Sequence, residues 1–436
     1  MGLIGQKKFY LISSILISVW LLVAQIFANT LLLLGCLGAF LLLSVLAVLH
    51  NMAIPWLFFF LPWAPILKPS PDTISMYTLA LLVILGVYAL RMIKNAYVYH
   101  LFPALLLLGF TLVVKMLNHY PIANNYITLF IFVLLFPFLA KELKAKYDFY
   151  ELTIWFSLGI ILAALSAQRL MAFPGVSRYV TVHEYLQYTV RLSGYYGDPN
   201  FYAVHITTAL AGTMVLLTRR LTKVRRLVLC GLMFPLFYCG VLSVSKSFVL
   251  IAICLILFWI IQIFFQRGTI SLKVLMLLAI FIGVVFILSS TLFTDLLEMI
   301  FQRFRTEGGS LDQLTTHRTE VWQNYINAME REPYLLWFGR GFSKVLVNDR
   351  ASHNTILQVV YQTGIIGSGL MLLWAGAYVH SMVSGIRIKY SMLMPILILL
   401  TGAMGPWLGL DMLFFDEFFL LPLYVGSGVY YLSVYE

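Results

Sequence analysis

Runs of about 20 apolar residues follow one another along most of this chain, and they restrict its fold more than any other feature. A run of that length crosses the hydrocarbon core of a bilayer as an α-helix, because the backbone there must satisfy its own hydrogen bonds. Only 11% of the 436 residues are charged, against about 25% in soluble proteins. The sequence therefore predicts an all-α, polytopic integral membrane protein.

The apolar runs define a series of predicted spans. These are 9–28, 30–48, 74–90, 100–117, 124–140, 150–168, 199–217, 227–244, 248–266, 272–293, 355–379, 391–409 and 417–434. Residues 54–68 are also apolar, but they are few and interrupted by proline, which is typical of a kinked crossing or of a re-entrant segment. We expect about 12 to 14 transmembrane helices, with fourteen crossings if 54–68 crosses.

Positive charge predicts which connectors face the cytoplasm. Residues 218–226, TRRLTKVRR, contain five positive charges and no acid, a strong cytoplasmic signal under the positive-inside rule. Counting spans outward places further basic segments on the same side, namely Lys7/Lys8, Arg91/Lys94, 141–146, Arg267/Lys273 and Arg387/Lys389. Lys7 and Lys8 agree with this count only if 54–68 crosses. Both termini are then cytoplasmic.

The same count divides the chain into five parts. They are the N-terminal transmembrane helices (1–168), a first outer loop (169–198), central transmembrane helices (199–293), a long outer loop predicted to be catalytic (294–354) and C-terminal transmembrane helices (355–436). The net charge of +11 would indicate nucleic acid in a soluble protein. Here the charges border the spans or lie in the outer loops, and we expect no nucleic-acid partner.

Arginine dominates the basic residues of the two outer loops. They are Arg169, Arg178, Arg191, Arg303, Arg305, Arg318, Arg331, Arg340, Lys344 and Arg350. A guanidinium group binds phosphate through two parallel hydrogen bonds, so this composition favours an anion site. The positive-inside rule weakens for long loops, which leaves an excess without function as the alternative.

Two short motifs near the central spans carry candidate site residues. Arg191 precedes the turn GDPN (197–200), which opens a span and contains Asn200. Lys246, in SVSKSF, lies at the outer end of a span, where a phosphate would be a suitable partner. For both cations the alternative is contact with lipid headgroups. His205, about two turns into its span, is interpreted as a hydrogen-bonded packing residue.

The long outer loop is predicted to contain an amphipathic helix lying on the membrane surface. In THRTEVWQNYINAMEREP the residues Val321, Trp322, Tyr325, Ile326 and Met329 form one apolar stripe. His317 and Arg318 lie off that stripe. Farther on, His353 and Asn354 precede the helix from residue 355, where asparagine is a natural cap and the helix dipole favours an anion.

The remaining signals are mostly negative. The sequence contains no DxD, HExxH, Walker or GxSxG motif and no His/Cys metal spacing, so no metal and no cofactor are expected. Asp411, Asp416 and Glu417 form an acidic connector between the last two spans. We expect a solvated turn there, with the orientation of an arginine or the binding of sugar hydroxyls as alternatives.

Four segments in this order resemble the bacterial O-antigen polymerase/ligase family, which includes Wzy-type polysaccharide polymerases and O-antigen ligases. They are RLSGYYGDPNFYA, SVSKSF, HRTEVWQNYINAMEREPYLLWFGRGF and SHNTILQVVYQTGIIGSGLML. The resemblance covers roughly residues 190–380. The segment FFFLPWAPILKPSPDTIS is similar, more weakly, to capsule or exopolysaccharide polymerases of Gram-positive bacteria.

The resemblance implies an inverting, metal-independent glycosyltransferase of the bacterial cytoplasmic membrane, active at its outer face. Its donor would be a glycan on undecaprenyl pyrophosphate, and its acceptor another lipid-linked glycan. The catalytic residues would be Arg191, Arg318 and His353, with the arginines holding the pyrophosphate and the histidine assisting the attacking hydroxyl. Lys246 stands where many relatives carry an arginine, which keeps the charge but loses the two-pronged hydrogen bonding. We add Lys246, Arg340, Asn354, Asn200 and His317 as candidate substrate-binding residues.

Three functions stay open at this point. We favour a polysaccharide polymerase for O-antigen, capsule or exopolysaccharide, which would work beside membrane lipid and could have a chain-length regulator and a flippase as partners. A ligase would transfer the finished glycan to lipid A core or to another cell-surface acceptor. A flippase for the lipid-linked oligosaccharide is the third reading, but the charge lies in outer loops and no inverted repeat is evident.

Overall fold

The computed structural model describes residues 3–92, 98–120, 126–180, 184–185, 189–265, 298 and 318–435. Its helices in chain order are α1 (Leu3–Ile26), α2 (Thr30–Leu49), α3 (Ala53–Phe60), α4 (Met76–Met92), α5 (Val98–Leu117), α6 (Tyr126–Leu143), α7 (Phe149–Leu170), α8 (Pro174–Ser177), α9 (Pro199–Leu217), α10 (Lys223–Leu242), α11 (Lys246–Phe265), α12 (Arg318–Arg331), α13 (Pro333–Phe338), α14 (Thr355–Val383), α15 (Leu393–Met404) and α16 (Glu417–Tyr435). Short 3-10 helices occupy Leu61–Trp63, Tyr390–Met392 and Gly405–Gly409.

The prediction of an all-α polytopic membrane protein is confirmed. Within the described residues, ten helices are long and apolar enough to cross a membrane, and three shorter apolar helices cover 53–63, 76–92 and 101–117. The β-structure among these residues is a hairpin of two-residue strands, Glu184–Tyr185 and Thr189–Val190. The predicted span 272–293 lies outside the described residues.

Internal contacts sort the connectors onto two opposite ends of the helix bundle. At one end, Lys7 Nζ lies 2.5 Å from Glu151 Oε1, at the start of α7. At the other end, Arg178 Nη2, beyond the end of α7, donates to Gln25 Oε1 at 2.8 Å. Along this second end, called the loop face below, lie residues 171–180, 189–198, 243–245, 332–354 and 410–416.

Residues 53–68 connect the two ends of the bundle without forming a complete spanning helix. Just before this segment, His50 Nδ1 lies 2.8 Å from the Tyr10 hydroxyl, near the end that carries Lys7. At its far end, the Lys68 carbonyl accepts from Tyr179, on the loop face. Every residue from 53 to 64 is buried. The segment therefore passes through the inside of the bundle, as the kinked-crossing interpretation requires.

Helix α9 lies at the centre and provides the base for the loop face. In α9, 89% of the most apolar stretch is buried inside the protein. The Thr207 hydroxyl donates to the Gly402 carbonyl of α15 at 2.7 Å, and a Cβ at Gly402 would approach the Thr207 carbonyl oxygen to 2.6 Å. Small residues allow such close backbone packing between membrane helices. Helix α9 is thus packed closely against α15.

Candidate functional site

The turn that carries His353 is fixed by hydrogen bonds on both of its sides. The buried carboxylate of Asp411, 7% exposed, accepts through Oδ1 from the Ser352 hydroxyl and from the Asn354 backbone N–H at 3.1 Å. His353 itself has a φ of 49°, a left-handed conformation that residues other than glycine adopt infrequently. No described residue hydrogen-bonds to the imidazole, which is half-buried. The ring nitrogens are therefore not held by a protein partner within that part of the chain.

Asn354 caps α14, as the capping interpretation predicts. Its Oδ1 accepts from the backbone N–H groups of Ile356 at 3.0 Å and Leu357 at 3.1 Å. These bonds satisfy two of the donors that a helix start leaves open. A substrate-binding role for Asn354 stays a prediction, while the helix dipole favours negative charge beside it.

Arg318 is the first residue of α12 and extends toward two other connectors. A Cβ at Gly409 would lie 2.6 Å from Arg318 Nη1, so the guanidinium occupies the space that this glycine leaves open. Burial lowers the pKa of Arg318, and the negative charges of Asp198 and Asp411 oppose that shift. Among the described residues neither carboxylate forms a direct ion pair with it. The two carboxylates thus partly offset the desolvation of the guanidinium, and no described residue accepts a hydrogen bond from it.

Arg191 and Lys246 lie on either side of a strained turn. Arg191 Nε donates to the Ser243 carbonyl at 3.1 Å, and Lys246 begins α11 three residues later. Between them Val244 has a φ of 46°, which is an outlier for a β-branched residue and stores strain. Ser245 donates to Asn200 Oδ1 at 2.7 Å. These bonds hold the SVSKSF segment against the start of α9.

Hydrogen bonds and the charges of two carboxylates link these residues. Asn200 donates from its backbone N and from Nδ2 to Asp198 Oδ1, at 2.8 and 2.9 Å. Asp198 and Asp411 both act on Arg318, and Asp411 holds the His353 turn. The structure therefore brings together six of the predicted site residues on the loop face: Arg191, Asn200, Lys246, Arg318, His353 and Asn354.

Arg340, another candidate residue, is placed differently. Arg340 Nε donates to the Tyr361 hydroxyl at 2.7 Å, and its guanidinium carbon lies 5.2 Å from the ring centre of Tyr120 and 5.3 Å from that of Tyr361. Hydrogen bonding and cation–π contact of this kind fix an arginine within a packed cluster. His317 lies outside the described residues.

The amphipathic helix predicted in the long outer loop is confirmed as α12, but it uses its apolar stripe differently than expected. Val321, Tyr325 and Met329 are buried, and they form a small core with Leu335 and Tyr361. The most apolar face of α12 therefore packs on the protein itself. A sequence stripe cannot distinguish a membrane surface from a protein surface, because both bury apolar side chains.

The expectation of a solvated turn at Asp411, Asp416 and Glu417 is wrong. Glu417 is 2% exposed and accepts from the Tyr196 hydroxyl, and His205 Nε2 lies 3.1 Å from its Oε1. His205 is completely buried, which confirms its interpretation as a hydrogen-bonded packing residue. The partners of these acids are distant in sequence, so the connector alone could not indicate its burial.

Asp416 is half-buried next to this cluster and accepts from the Thr78 hydroxyl at 2.9 Å. Burial and the neighbouring charge of Glu417 raise the pKa of Asp416 to about 7, against the opposing effects of the Thr78 hydrogen bond and of Lys68. Within a single connector, one acid thus binds the His353 turn and the other two are tied to α4, α9 and the first outer loop.

Sequence reasoning missed Asp411 as the residue that links two candidate groups. Its signal was weak but present, because an acid within LGLDMLFF is surrounded by apolar residues and must find a polar partner if it is buried. Gly409 and Trp322 were missed as well. The Trp322 Nε1 donates to the Ser352 carbonyl at 2.9 Å and so braces the same turn.

The arrangement offers two chemical capabilities at one place. Arg318, together with Lys246 and Arg191 along the same network, supplies positive charge for a phosphate-bearing ligand. The imidazole of His353 supplies a ring nitrogen that can accept a proton from a hydroxyl. Such a combination suits a reaction in which a hydroxyl loses a proton while negative charge develops on a phosphate.

Comparison with known proteins identifies a family signal over this part of the chain. Residues 230–372 match the family model Wzy_C, described as O-Antigen ligase. The matched range includes Lys246, Arg318, Arg340, His353 and Asn354, whereas Arg191 and Asn200 precede it. No curated protein and no solved structure matches the chain.

Proposed function

Since the Wzy_C match supports membership of the O-antigen polymerase/ligase family, we propose that this chain is a polysaccharide polymerase of the bacterial cytoplasmic membrane. It transfers a glycan from undecaprenyl pyrophosphate to a hydroxyl of another lipid-linked repeat unit. The transfer inverts the anomeric configuration, needs no metal ion and takes place at the outer face.

The observation that carries the proposal is the position of Asp411. Its carboxylate fixes the turn of His353 through Ser352 and Asn354, and its charge acts on Arg318. The same buried group therefore holds the turn of a proton acceptor and acts through its charge on a phosphate-binding cation. A site that positions reacting groups before the substrate binds lowers the entropic cost of bringing them together.

In the proposed reaction the cations act on the donor. Arg318, Arg191 and Lys246 bind the pyrophosphate oxygens and stabilise the negative charge that grows as the anomeric C–O bond breaks. Removal of one such preorganised contact costs a factor of about 10² to 10³ in rate, by analogy with oxyanion-hole donors. The released polyprenyl pyrophosphate is a good leaving group, so no separate acid is required.

His353 acts on the acceptor. The acceptor hydroxyl oxygen forms the new bond to the anomeric carbon from the face opposite the pyrophosphate, while the imidazole takes the hydroxyl proton. The proton then passes to solvent or to the departing pyrophosphate, which returns the histidine to its starting state. General-base assistance of this type contributes a factor of about 10² to 10⁴.

A ligase is the second candidate, and the description of the matching family as O-Antigen ligase favours it. The two activities share their chemistry and differ in the acceptor. Residues 58–75 are similar to polymerases of Gram-positive bacteria, and these bacteria have no lipid A to modify. We therefore prefer polymerisation. An assay that supplies lipid A core as the acceptor in place of a second repeat unit distinguishes the two activities, because only a ligase glycosylates it.

The test is polymerisation of purified lipid-linked repeat units by the purified full-length protein. We expect His353→Ala and Arg191→Ala each to slow chain growth by at least about 10²-fold. Exposed residues on the same face provide matched controls, namely His119→Ala, whose φ of 52° resembles that of His353, and Arg331→Ala. Normal rates in both test variants would refute the assignment, and strong inhibition by EDTA would refute metal independence.

A further inference from the structure

An apolar groove lies between α12 and the first two turns of α14, beside the candidate site. It encloses about 300 Å³ and is lined by Trp322, Ile326, Asn354, Ile356, Leu357 and Val360. Five of these six side chains are apolar or aromatic. The groove is open along one side, where Ile356 is 63% exposed. A surface of this kind is suited to a hydrocarbon chain and not to a sugar.

The groove is formed before any ligand arrives, because both of its walls are anchored from behind. The opposite side of α12 is held by the buried residues Val321, Tyr325 and Met329. Trp322 is fixed by the hydrogen bond from its Nε1 to the Ser352 carbonyl. Ile326 therefore stays 39% exposed on the groove side although its neighbours are buried. Preformed walls reduce the cost of ordering a ligand.

The groove is aligned with the cation of the site. Arg318, Trp322 and Ile326 are spaced four residues apart on α12, so they lie along one side of the helix. Asn354 belongs to both regions, because its side chain lines the groove while its backbone N–H binds Asp411. The loop face thus presents the positive charge of Arg318, followed along α12 by the apolar side chains of the groove.

We propose that this groove binds the isoprenoid units nearest the pyrophosphate of a polyprenyl pyrophosphate, with the pyrophosphate on Arg318. The inference rests on the proposed function and adds the residues that select the lipid part of the donor. Its position suits an occupant arriving from the bilayer, because residues 355–363 form a short helix at the start of the candidate membrane span Thr355–Val383. The backbone leaves helical geometry at Gly364, and residues 365–383 are long enough to cross the hydrocarbon core, which places the short helix near the boundary between headgroups and hydrocarbon.

The experiment compares inorganic pyrophosphate with farnesyl pyrophosphate as ligands of the full-length protein in phosphatidylcholine nanodiscs. In the wild type, farnesyl pyrophosphate binds more tightly, because each buried CH₂ contributes a factor of about four in affinity. The double variant Ile326→Ala/Ile356→Ala reduces farnesyl pyrophosphate affinity about tenfold and leaves inorganic pyrophosphate binding unchanged. Arg318→Ala weakens both ligands.

The matched control is Ile365→Ala/Ile366→Ala, which makes the same changes on α14 at side chains that are 45% and 42% exposed outside the groove. It binds both ligands as the wild type does. Any of three results overturns the proposal. The wild type binds the two ligands with equal affinity, the groove variant has no effect, or phosphatidylglycerol displaces farnesyl pyrophosphate as effectively as unlabelled farnesyl pyrophosphate does. Groove-dependent binding without glycan transfer would support the groove and refute the proposed reaction.

Discussion

Arg318 and Arg340 border the same outer segment, yet their surroundings differ in kind. Arg318 lies against a glycine and within the influence of two carboxylates that do not pair with it directly. Arg340 donates to a tyrosine hydroxyl and lies near two aromatic rings. No described residue accepts a hydrogen bond from the first guanidinium, whereas the second is bonded to Tyr361 of α14.

The difference teaches that a count of arginines overstates an anion site. Both residues belong to one basic, outward loop in the sequence, and both have the same affinity for phosphate in principle. What separates them is which acceptors the fold has already supplied. A guanidinium bonded within an aromatic cluster contributes to stability, whereas one without a bonded acceptor among the described residues can bind a ligand.

The largest effect is expected when each of the two arginines is removed in turn. Arg318→Ala lowers the rate of glycan transfer by about 10² to 10³, because a preorganised charge contact to the pyrophosphate is lost. Arg340→Ala lowers thermal stability instead and leaves transfer within a few-fold of the wild type. In vitro chain elongation and thermal unfolding, measured on both variants, decide the matter. Equal loss of transfer in the two variants would contradict the separate roles of Arg318 and Arg340.

Asp411→Asn tests whether the negative charge beside Arg318 contributes to transfer. Asparagine still accepts from Ser352 and the Asn354 N–H, but it removes the negative charge beside Arg318. We expect transfer to fall about tenfold, since a charge-assisted interaction is worth about 1.5 kcal/mol or more. The rate is measured as a function of donor concentration and pH. An unchanged donor dependence and an unchanged pH profile would contradict a role at the site.

Asp416→Asn makes the same change five residues away, where no effect on transfer is expected. Its effect is on stability. Burial and Glu417 raise the pKa of Asp416 from 3.8 to about 7, so between about pH 4 and pH 7 the folded state binds more protons than the unfolded state. Stability attributable to this group therefore falls as pH rises through that range. The variant should gain thermal stability over the wild type at pH 8 and not at pH 4; the opposite trend would exclude the shift.

The smallest effect is expected from Tyr361→Phe. The substitution keeps the ring near Arg340 but removes the hydroxyl that accepts from its Nε at 2.7 Å. A hydrogen bond to a charged group is worth about 1.5 to 3 kcal/mol when buried, and less where water can replace it. Thermal unfolding of the variant should begin slightly earlier, with transfer unchanged. A large loss of transfer would place Arg340 in the site after all.

The helical architecture could be predicted from the sequence because apolar length and backbone hydrogen bonding leave few choices inside a membrane. Most predicted spans match the observed helices to within a few residues. The buried path of residues 53–68 was harder to predict, because their backbone carbonyls are satisfied by side chains outside the segment, both near and far along the chain. Ser75 donates to the Ala64 carbonyl, and Tyr196 donates to that of Leu61.

The site was predictable as a set of residue types and not as a set of contacts. Arg318, His353 and Asn354 stand out by charge and by position at a helix start. Asp411 does not, because its importance depends on Ser352 and Asn354, more than fifty residues away. The separate role of Arg340 likewise depends on Tyr120 and Tyr361, which pattern reasoning had no means of placing beside it.

The buried passage of residues 53–68 has a consequence for how the protein is made. An eight-residue helix rises only about 12 Å, too little to enter a bilayer as a stable span. The carbonyls of Lys68 and Leu61, which follow this helix, accept from Tyr179 and Tyr196, which the ribosome synthesises more than a hundred residues later. We therefore expect the native packing of this segment to be completed only after α7 and the following loop have emerged.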